Sequence, residues 1–375
     1  MGDFTDYYED DIPYDCIYLD FSKAFDRVPH DRLLTKVYNC GIRGVAFHWI
    51  KSFLFDRSQC VVVNDKVSSC SKVSSGIPQG SVLGPLLFTI FINDLPDSIA
   101  SHIKIFADDT KIYNSTDNSL VLSTDLNTLV GWSDMWLLPF NVDKCKVLHY
   151  GKRNANILYY MDGKAVDNDS CIKDLGVTFQ NSLKFDNHIN KICATANSRL
   201  GIIRNTFHSI DKDGFIVLYK CLVRPIVEYC NLIWLPHLRK HQIMIEQIQR
   251  RATRMIQGMD KLSYCERLRF LNLDTLYYRR RRADLIQVYR IINKIDCIDM
   301  CALFEYDTGI TRGNSKKLFK PRAVSSTKQH SFSHRVINDW NDLPNNVVLS
   351  DSLNNFKASL SVYWSNKDFR FDFKF

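Results

Sequence analysis

Two adjacent carboxylates, Asp108 and Asp109, fall between the short apolar runs Ile103 to Phe106 and Thr110 to Tyr113, a pattern that predicts the tip of a β-hairpin. A third, Asp20, closes the apolar run Cys16-Ile17-Tyr18-Leu19. An Asp-Asp pair alone is ordinary turn chemistry, because aspartate hydrogen-bonds its own backbone and tolerates tight turns. Acids at the ends of strands that otherwise prefer burial are a different matter, since a carboxylate resists desolvation unless it is paired or metal-bound. Three of them suit a hard divalent cation, Mg²⁺ with Mn²⁺ as an alternative, and two such ions can clamp the attacking and leaving oxygens of a phosphoryl transfer.

The elements that must position these acids are legible as alternations of apolar period. Tyr14 to Phe21 reads as a strand, and Val45, Ala46, Trp49, Ile50, Phe53 and Leu54 recur at helical spacing. Gln59 to Val63 and Lys66 to Val73 flank Asn64-Asp65, a hairpin turn. Leu83 to Leu95 predicts a buried helix that stops before Pro96, and Leu122, Leu126, Leu129, Ser133 and Trp136 trace another after the acid hairpin. Strands and helices mixed this way, without regular βαβ alternation, predict an α+β fold around an antiparallel sheet.

Between the acids lies Gly76-Ile77-Pro78-Gln79-Gly80-Ser81-Val82-Leu83-Gly84-Pro85-Leu86-Leu87-Phe88, and Asp20 itself opens Asp20-Phe21-Ser22-Lys23-Ala24-Phe25-Asp26. In this order and at these separations, the segments around Asp20, Gln79 and Asp108 resemble motifs A, B and C of reverse transcriptases. The wording is most similar to the non-LTR, LINE-type retrotransposons of the jockey-like group. The resemblance implies a right-hand polymerase palm followed by a helical thumb, acting on an RNA template, a DNA primer and dNTP. It implies that Asp20 and Asp108 bind metal with Asp109 adjoining, and that Phe25 crowds the place of a ribose 2′-hydroxyl, the group that distinguishes RNA from DNA precursors. It also implies that Gln79 and Gly80 lie beside the incoming nucleotide. Asn141 to Leu148 resembles motif D, whose lysine assists the leaving pyrophosphate: Lys144, with Lys146 in reserve. Lys173-Asp174-Leu175-Gly176-Val177 resembles the primer grip, which makes Leu175 and Gly176 its turn. A viral RNA-dependent RNA polymerase and a group II intron maturase fit these motifs less well.

Charge divides the chain. Residues 1–187 carry 18 Lys and Arg against 24 Asp and Glu, whereas residues 188–375 carry 31 against 17. A phosphate backbone would be drawn to the second half in a salt-sensitive manner. The candidate contacts there are Arg250, Arg251 and Arg254 on a helix expected over Leu238 to Gln257, and the run Arg279-Arg280-Arg281-Arg282, with Arg279 and Arg282 facing outward. Four consecutive arginines cannot share one helix face, because successive residues turn about 100°. Taken with the resemblance, these patterns imply a palm over 1–186, a basic helical thumb over 187–297 and a C-terminal region over 298–375, in which Thr311 to Lys328 reads as a basic loop and His330 to Leu343 as the start of a helical tail.

The remaining features narrow the class. Scattered cysteines, twelve in all, predict reduced thiols in an intracellular protein, and Cys297 and Cys301 lack the second pair that a zinc site needs. The most apolar run, Val82 to Ile92, is too short to span a bilayer. Only nineteen acidic-leaning residues precede Asp20, where the family places fingers, so the expectation is a polymerase lacking most of its fingers. The rival is a catalytically silent remnant that still binds nucleic acid.

Overall fold

The computed structural model describes residues 2–207, 210–309, 313–365 and 367–373. It divides into two compact units, one made of Ile12–Gly176 and the other of Met1–Asp11 with Val177–Phe375.

The first unit is built on a five-stranded sheet. Tyr14–Leu19 (β1) has all six residues buried, as expected of a central strand covered on both faces. His102–Phe106 (β2) and Asp109–Ser115 (β3) form the acid hairpin, and Lys146–Tyr150 (β4) and Asp167–Asn168 (β5) complete the order β5-β4-β1-β3-β2. Every pairing is antiparallel except the parallel β5 edge. Ile17, Leu19, Ile112 and Val147 join the main core with Leu87, Phe88 and Phe91 of the helix Leu83–Ile92 and Leu122, Leu126 and Leu129 of the helix Ser119–Trp136. The expected helix to Leu95 ends three residues early, and Leu95–Ser98 forms a 3-10 turn around Pro96, whose missing N–H cannot extend an α-helix. The hairpin about Asn64-Asp65 is present, with both residues at positive φ as a tight two-residue turn requires, but its ladder is broken into the short pieces Val62–Val63 with Lys66–Val67 and Ser58–Gln59 with Ser71–Lys72.

The second unit is helical apart from short segments. Asp186–Thr206 and Arg239–Thr253 pack against each other, and Leu276–Ile292 runs through a core that contains Trp340, Phe356 and Trp364. Residues on both sides of 297/298 thus share one core, and the division of the chain at 176/177 comes ten residues before the expected palm boundary. The helix Gly2–Glu9 belongs to this unit: the Asp6 carboxylate pairs with Lys328, and Glu9 accepts hydrogen bonds from the N–H groups of Val324 (2.5 Å) and Ser325 (2.8 Å). Of the expected loop over Thr311 to Lys328, Thr311 and Arg312 lie outside the described residues; its far end forms the short helix Ser326–Gln329. Among the described residues no helix is long and apolar enough to cross a membrane.

Candidate active site

The register of the sheet brings the acids together. β1 pairs with β3 up to Leu19 facing Thr110, so that Asp20 follows on one side where Asp109 precedes on the other, close enough for the Asp20 charge to act on Asp109. Phe106 pairs with Asp109 across a two-residue turn of Ala107 and Asp108. Ala107 sits at φ 53°, a left-handed conformation that costs a non-glycine residue about 1–2 kcal/mol, so strain is stored beside the carboxylates. Asp20 is held from below: Asn141 donates its N–H to the Asp20 carbonyl at 2.7 Å, and the neighbouring rings of Phe21 and Phe140 stack at 4.3 Å.

The electrostatics are unbalanced towards negative charge. The Oδ2 of Asp20 is buried and accepts no hydrogen bond, and the nearest cation is Lys144, whose Nζ lies 3.5 Å away. Burial, then the Asp108, Asp174 and Asp20 carboxylates, raise the pKa of Asp109 despite the opposing charge of Lys111. Among the described residues no three His, Cys, Asp or Glu side chains converge as a formed metal cage. What is present is carboxylate oxygens alone, one of them buried without a hydrogen bond and met only by the Lys144 ammonium, and oxygen donors of this kind suit a hard divalent cation. Of the two lysines in the motif D segment, Lys144 reaches Asp20, while Lys146 is committed to Asp167 at 2.7 Å.

The segment around Gln79 is fastened to the residues after Asp20. Ile77 N–H donates to the Phe25 carbonyl at 2.7 Å, Gly76 N–H to Val28 at 2.9 Å, and Gln79 Nε2 to Asp26 Oδ1 at 3.0 Å. Gly76 is required here: it has φ 90°, and a Cβ would lie 2.7 Å from the Asp26 carbonyl oxygen. Gly80 also has positive φ (81°) but nothing within 4 Å of where a Cβ would stand, so its need is conformational. Phe25 is half-buried and stacks on Phe88 with centroids 4.4 Å apart, which fixes its ring plane. Leu175 (φ 44°) and Gly176 (φ 83°) form a turn directly after the strand Cys171–Asp174.

Two contacts escaped the sequence reading. Asp26 serves as the acceptor for Gln79, and Asp174 pairs with Lys111, two residues beyond Asp109, which anchors the strand before the Leu175-Gly176 turn to the acid hairpin. Both residues stand inside the quoted motifs, but their partners are 53 and 63 positions away, and only the register reveals them.

The basic candidates of the second unit separate into two groups. Arg279 forks onto Glu228, Arg281 onto Asp339, and Arg282 donates to the Lys357 carbonyl at 3.1 Å and the Ser361 hydroxyl at 3.2 Å. Arg280 is 1% exposed beside buried Glu246. Of the run expected to contact phosphates, Arg279, Arg281 and Arg282 are thus already engaged within the fold and Arg280 is buried. Their helix is packed on several sides, so Arg279, Arg281 and Arg282 find intramolecular partners, while Nη1 and Nη2 of the buried Arg280 have no hydrogen-bond partner among the described residues. Arg250 lies 4.6 Å from the Tyr264 ring, Arg251 donates to Asn197 at 2.7 Å from an exposed position, and Arg254 is exposed just past the helix end.

Comparison with known proteins agrees with the motifs. Residues 14–179 match the family described as reverse transcriptase (RNA-dependent DNA polymerase). The chain is 27% identical over 257 residues to the RNA-directed DNA polymerase from mobile element jockey of Drosophila melanogaster, covering 64% of this chain and 28% of the relative. It is 30% identical over 269 residues to the probable RNA-directed DNA polymerase from transposon BS of the same species, covering 66% and 29%. The matched region thus spans under a third of those relatives. Among solved structures, telomerase from Candida tropicalis in complex with a fragment of telomeric RNA is similar at 10% identity and TM-score 0.38, covering 72% of this chain and 52% of that one.

Proposed function

We propose that this chain, which carries a reverse transcriptase domain of the non-LTR retrotransposon type, is the palm-bearing part of an RNA-directed DNA polymerase that adds dNTP to a primer 3′-hydroxyl on an RNA template. In the reaction the primer 3′-oxygen bonds to the α-phosphorus of the dNTP, the bond to the bridging oxygen breaks, and pyrophosphate leaves. Asp20 and Asp108, with Asp109 adjoining, would hold Mg²⁺, which when bound supplies the charge that activates the attacking oxygen and stabilises the leaving one. Lys144 approaches the same place from the other side of Asp20 and can stabilise or protonate the pyrophosphate. Phe25, held by Phe88, borders the sugar; Gln79 and Gly80, held by Asp26 and by the Gly76 turn, border the nucleotide. Leu175 and Gly176 would meet the primer end. Domain roles follow the same reading, palm for 1–186, thumb for 187–297 and an accessory region for 298–375, with Arg250, Arg251 and Arg254 as the remaining thumb contacts to the duplex.

The observation that carries this reading is the Asp20 carboxylate, whose buried oxygen has no hydrogen bond and whose strand runs beside Asp109. The test is primer extension on a primed RNA template with Mg²⁺, comparing the chain with Asp20→Asn. Template-directed extension that disappears in the variant supports the reading. RNA binding by both proteins with extension by neither favours the silent remnant.

A further inference from the structure

Net charge is not spread evenly over the first unit. Residues 32–93 carry seven Lys and Arg against two Asp, while the unit's other residues, 12–31 and 94–176, carry ten against sixteen. One of the seven, Lys36, is buried and bound to Asp94 at 2.6 Å, and Arg57 donates to the Leu54 and Gly76 carbonyls. Arg43, Lys51, Lys66 and Lys72 are exposed, and none has a carboxylate partner among the described residues. Lys23, Arg27 and Lys104 of the same unit are likewise exposed without a carboxylate partner among the described residues; Arg43 and Lys51 differ in lying on or beside a helix that also exposes aromatic rings.

Aromatic surface accompanies them. The helix Gly44–Leu54 carries no acid and buries only Ile50 and Leu54. Its exposed arc presents Val45 (87% exposed), His48, Trp49 (59%) and Lys51, and Tyr38 (51%) stands beside it with the Arg43 guanidinium 3.3 Å above its ring. Trp49 is braced by Phe53, whose ring lies 6.3 Å away at 26°, so its plane is held without being covered. An apolar protein surface would match the rings but would leave Arg43 and Lys51 without a counter-charge. Flat exposed rings interleaved with unpaired cations suit a strand whose bases stack and whose phosphates carry the charge.

We propose that the face formed by Tyr38, Arg43, Trp49 and Lys51 binds single-stranded nucleic acid, the bases stacking on Trp49 and on the Tyr38–Arg43 pair. The role of that strand as template rests on the function proposed above; its binding does not.

The test uses the full 375-residue chain and a fluorescein-labelled oligouridylate of about 20 nucleotides, with a labelled duplex of equal length as control. Trp49→Ala should weaken oligouridylate binding on the order of tenfold, and Trp49→Phe should restore most of it, because a stacked base contributes about 1–3 kcal/mol. Arg43→Gln with Lys51→Gln should lower the slope of log affinity against log salt by about 1.4, or 0.7 per phosphate contact on a single strand. Duplex affinity should stay within about twofold in every variant. Unchanged oligouridylate affinity in Trp49→Ala overturns this inference and leaves the proposed function standing. If Trp49→Ala instead abolishes self-association of the chain while RNA affinity is kept, the face is a protein interface and the inference fails. A parent chain that binds neither probe refutes the nucleic-acid reading as a whole.

Discussion

The acids of the first unit and the arginines of the second are both clusters of like charge, yet they differ in what surrounds them. Asp20 keeps a buried oxygen without a hydrogen bond, and Asp109 has the carboxylates of Asp20, Asp108 and Asp174 nearby, against which stand Lys111 and, at Asp20, Lys144. Arg279 and Arg281 each meet a carboxylate in a forked pair, Arg282 meets a carbonyl and a hydroxyl, and of that run only buried Arg280, beside Glu246, keeps guanidinium nitrogens without a hydrogen bond among the described residues. A charge cluster whose members are already paired stabilises its own fold. One left short of counter-charge holds free energy that a ligand can release, which makes the acids the candidates for reaction under the function proposed here.

The largest effect expected from this contrast is at Asp108. Replacing it by Asn leaves the hairpin's shape but removes a charge that no neighbour supplies, so primer extension should fall on the order of a thousandfold or more, the several kcal/mol expected of a metal ligand. RNA affinity should change by less than about twofold. Retained turnover in Asp108→Asn would end the analogy between charge imbalance and catalysis.

Phe25 asks whether a side chain with a good packing partner can still be functional. Phe25→Val should raise the ratio of ribonucleotide to deoxynucleotide incorporation about 10- to 100-fold, the range by which a pocket discriminates small groups. A ratio that does not move assigns the ring to the core with Phe88.

At the paired end of the comparison, Arg281→Gln should leave the salt dependence of RNA binding unchanged while costing about 1–2 kcal/mol of stability, because the pair with Asp339 is partly exposed and its side chains are about one quarter accessible. A thermal melt should register this as a midpoint lower by a few degrees. A flattened salt slope with an unshifted melt would return Arg281 to the phosphate contacts.

A pH-dependent effect concerns a group that the second unit keeps neutral. Burial, then the nearby charge of Lys191, lowers the pKa of His188 from 6.5 to about 4, while its Nδ1 accepts the Thr178 N–H at 3.2 Å. The unfolded chain takes up the proton as pH falls through about 6.5 and the folded unit only near 4, so this residue's contribution is full above 6.5 and is lost as pH falls across that window. Denaturant titrations should show a slope of at most about 1.4 kcal/mol per pH unit there. His188→Gln should flatten it, and an unaltered slope would place the titrating group elsewhere.

Much of the first unit was legible because its signals are local. Strand ends, the Asn64-Asp65 turn and the proline-limited helix each depend on residues within a few positions. The same is true of the acids at their strand ends, where apolar runs stop at Asp20 and at Asp108-Asp109. What could not be read was partnership across distance. Arg279 was expected to face outward by periodicity, but Glu228 lies 51 positions away on another helix, and nothing in the arginine run signals it. The contribution of Asp174 to the acid cluster and of Asp26 to the Gln79 segment was hidden in the same way. Helical period tells which side of a helix is polar, not whether that side meets water or a neighbour's carboxylate.

The attachment of the helix Gly2–Glu9 to Val324, Ser325 and Lys328 has a bearing on how the chain is made. Asp6 and Glu9 leave the ribosome more than three hundred residues before the groups that hold them. At a synthesis rate of about 5–20 residues per second, that is an interval of roughly 15–60 s. Throughout it the whole of Ile12–Gly176 can complete its sheet, while the helix Gly2–Glu9 waits for Val324, Ser325 and Lys328 to arrive.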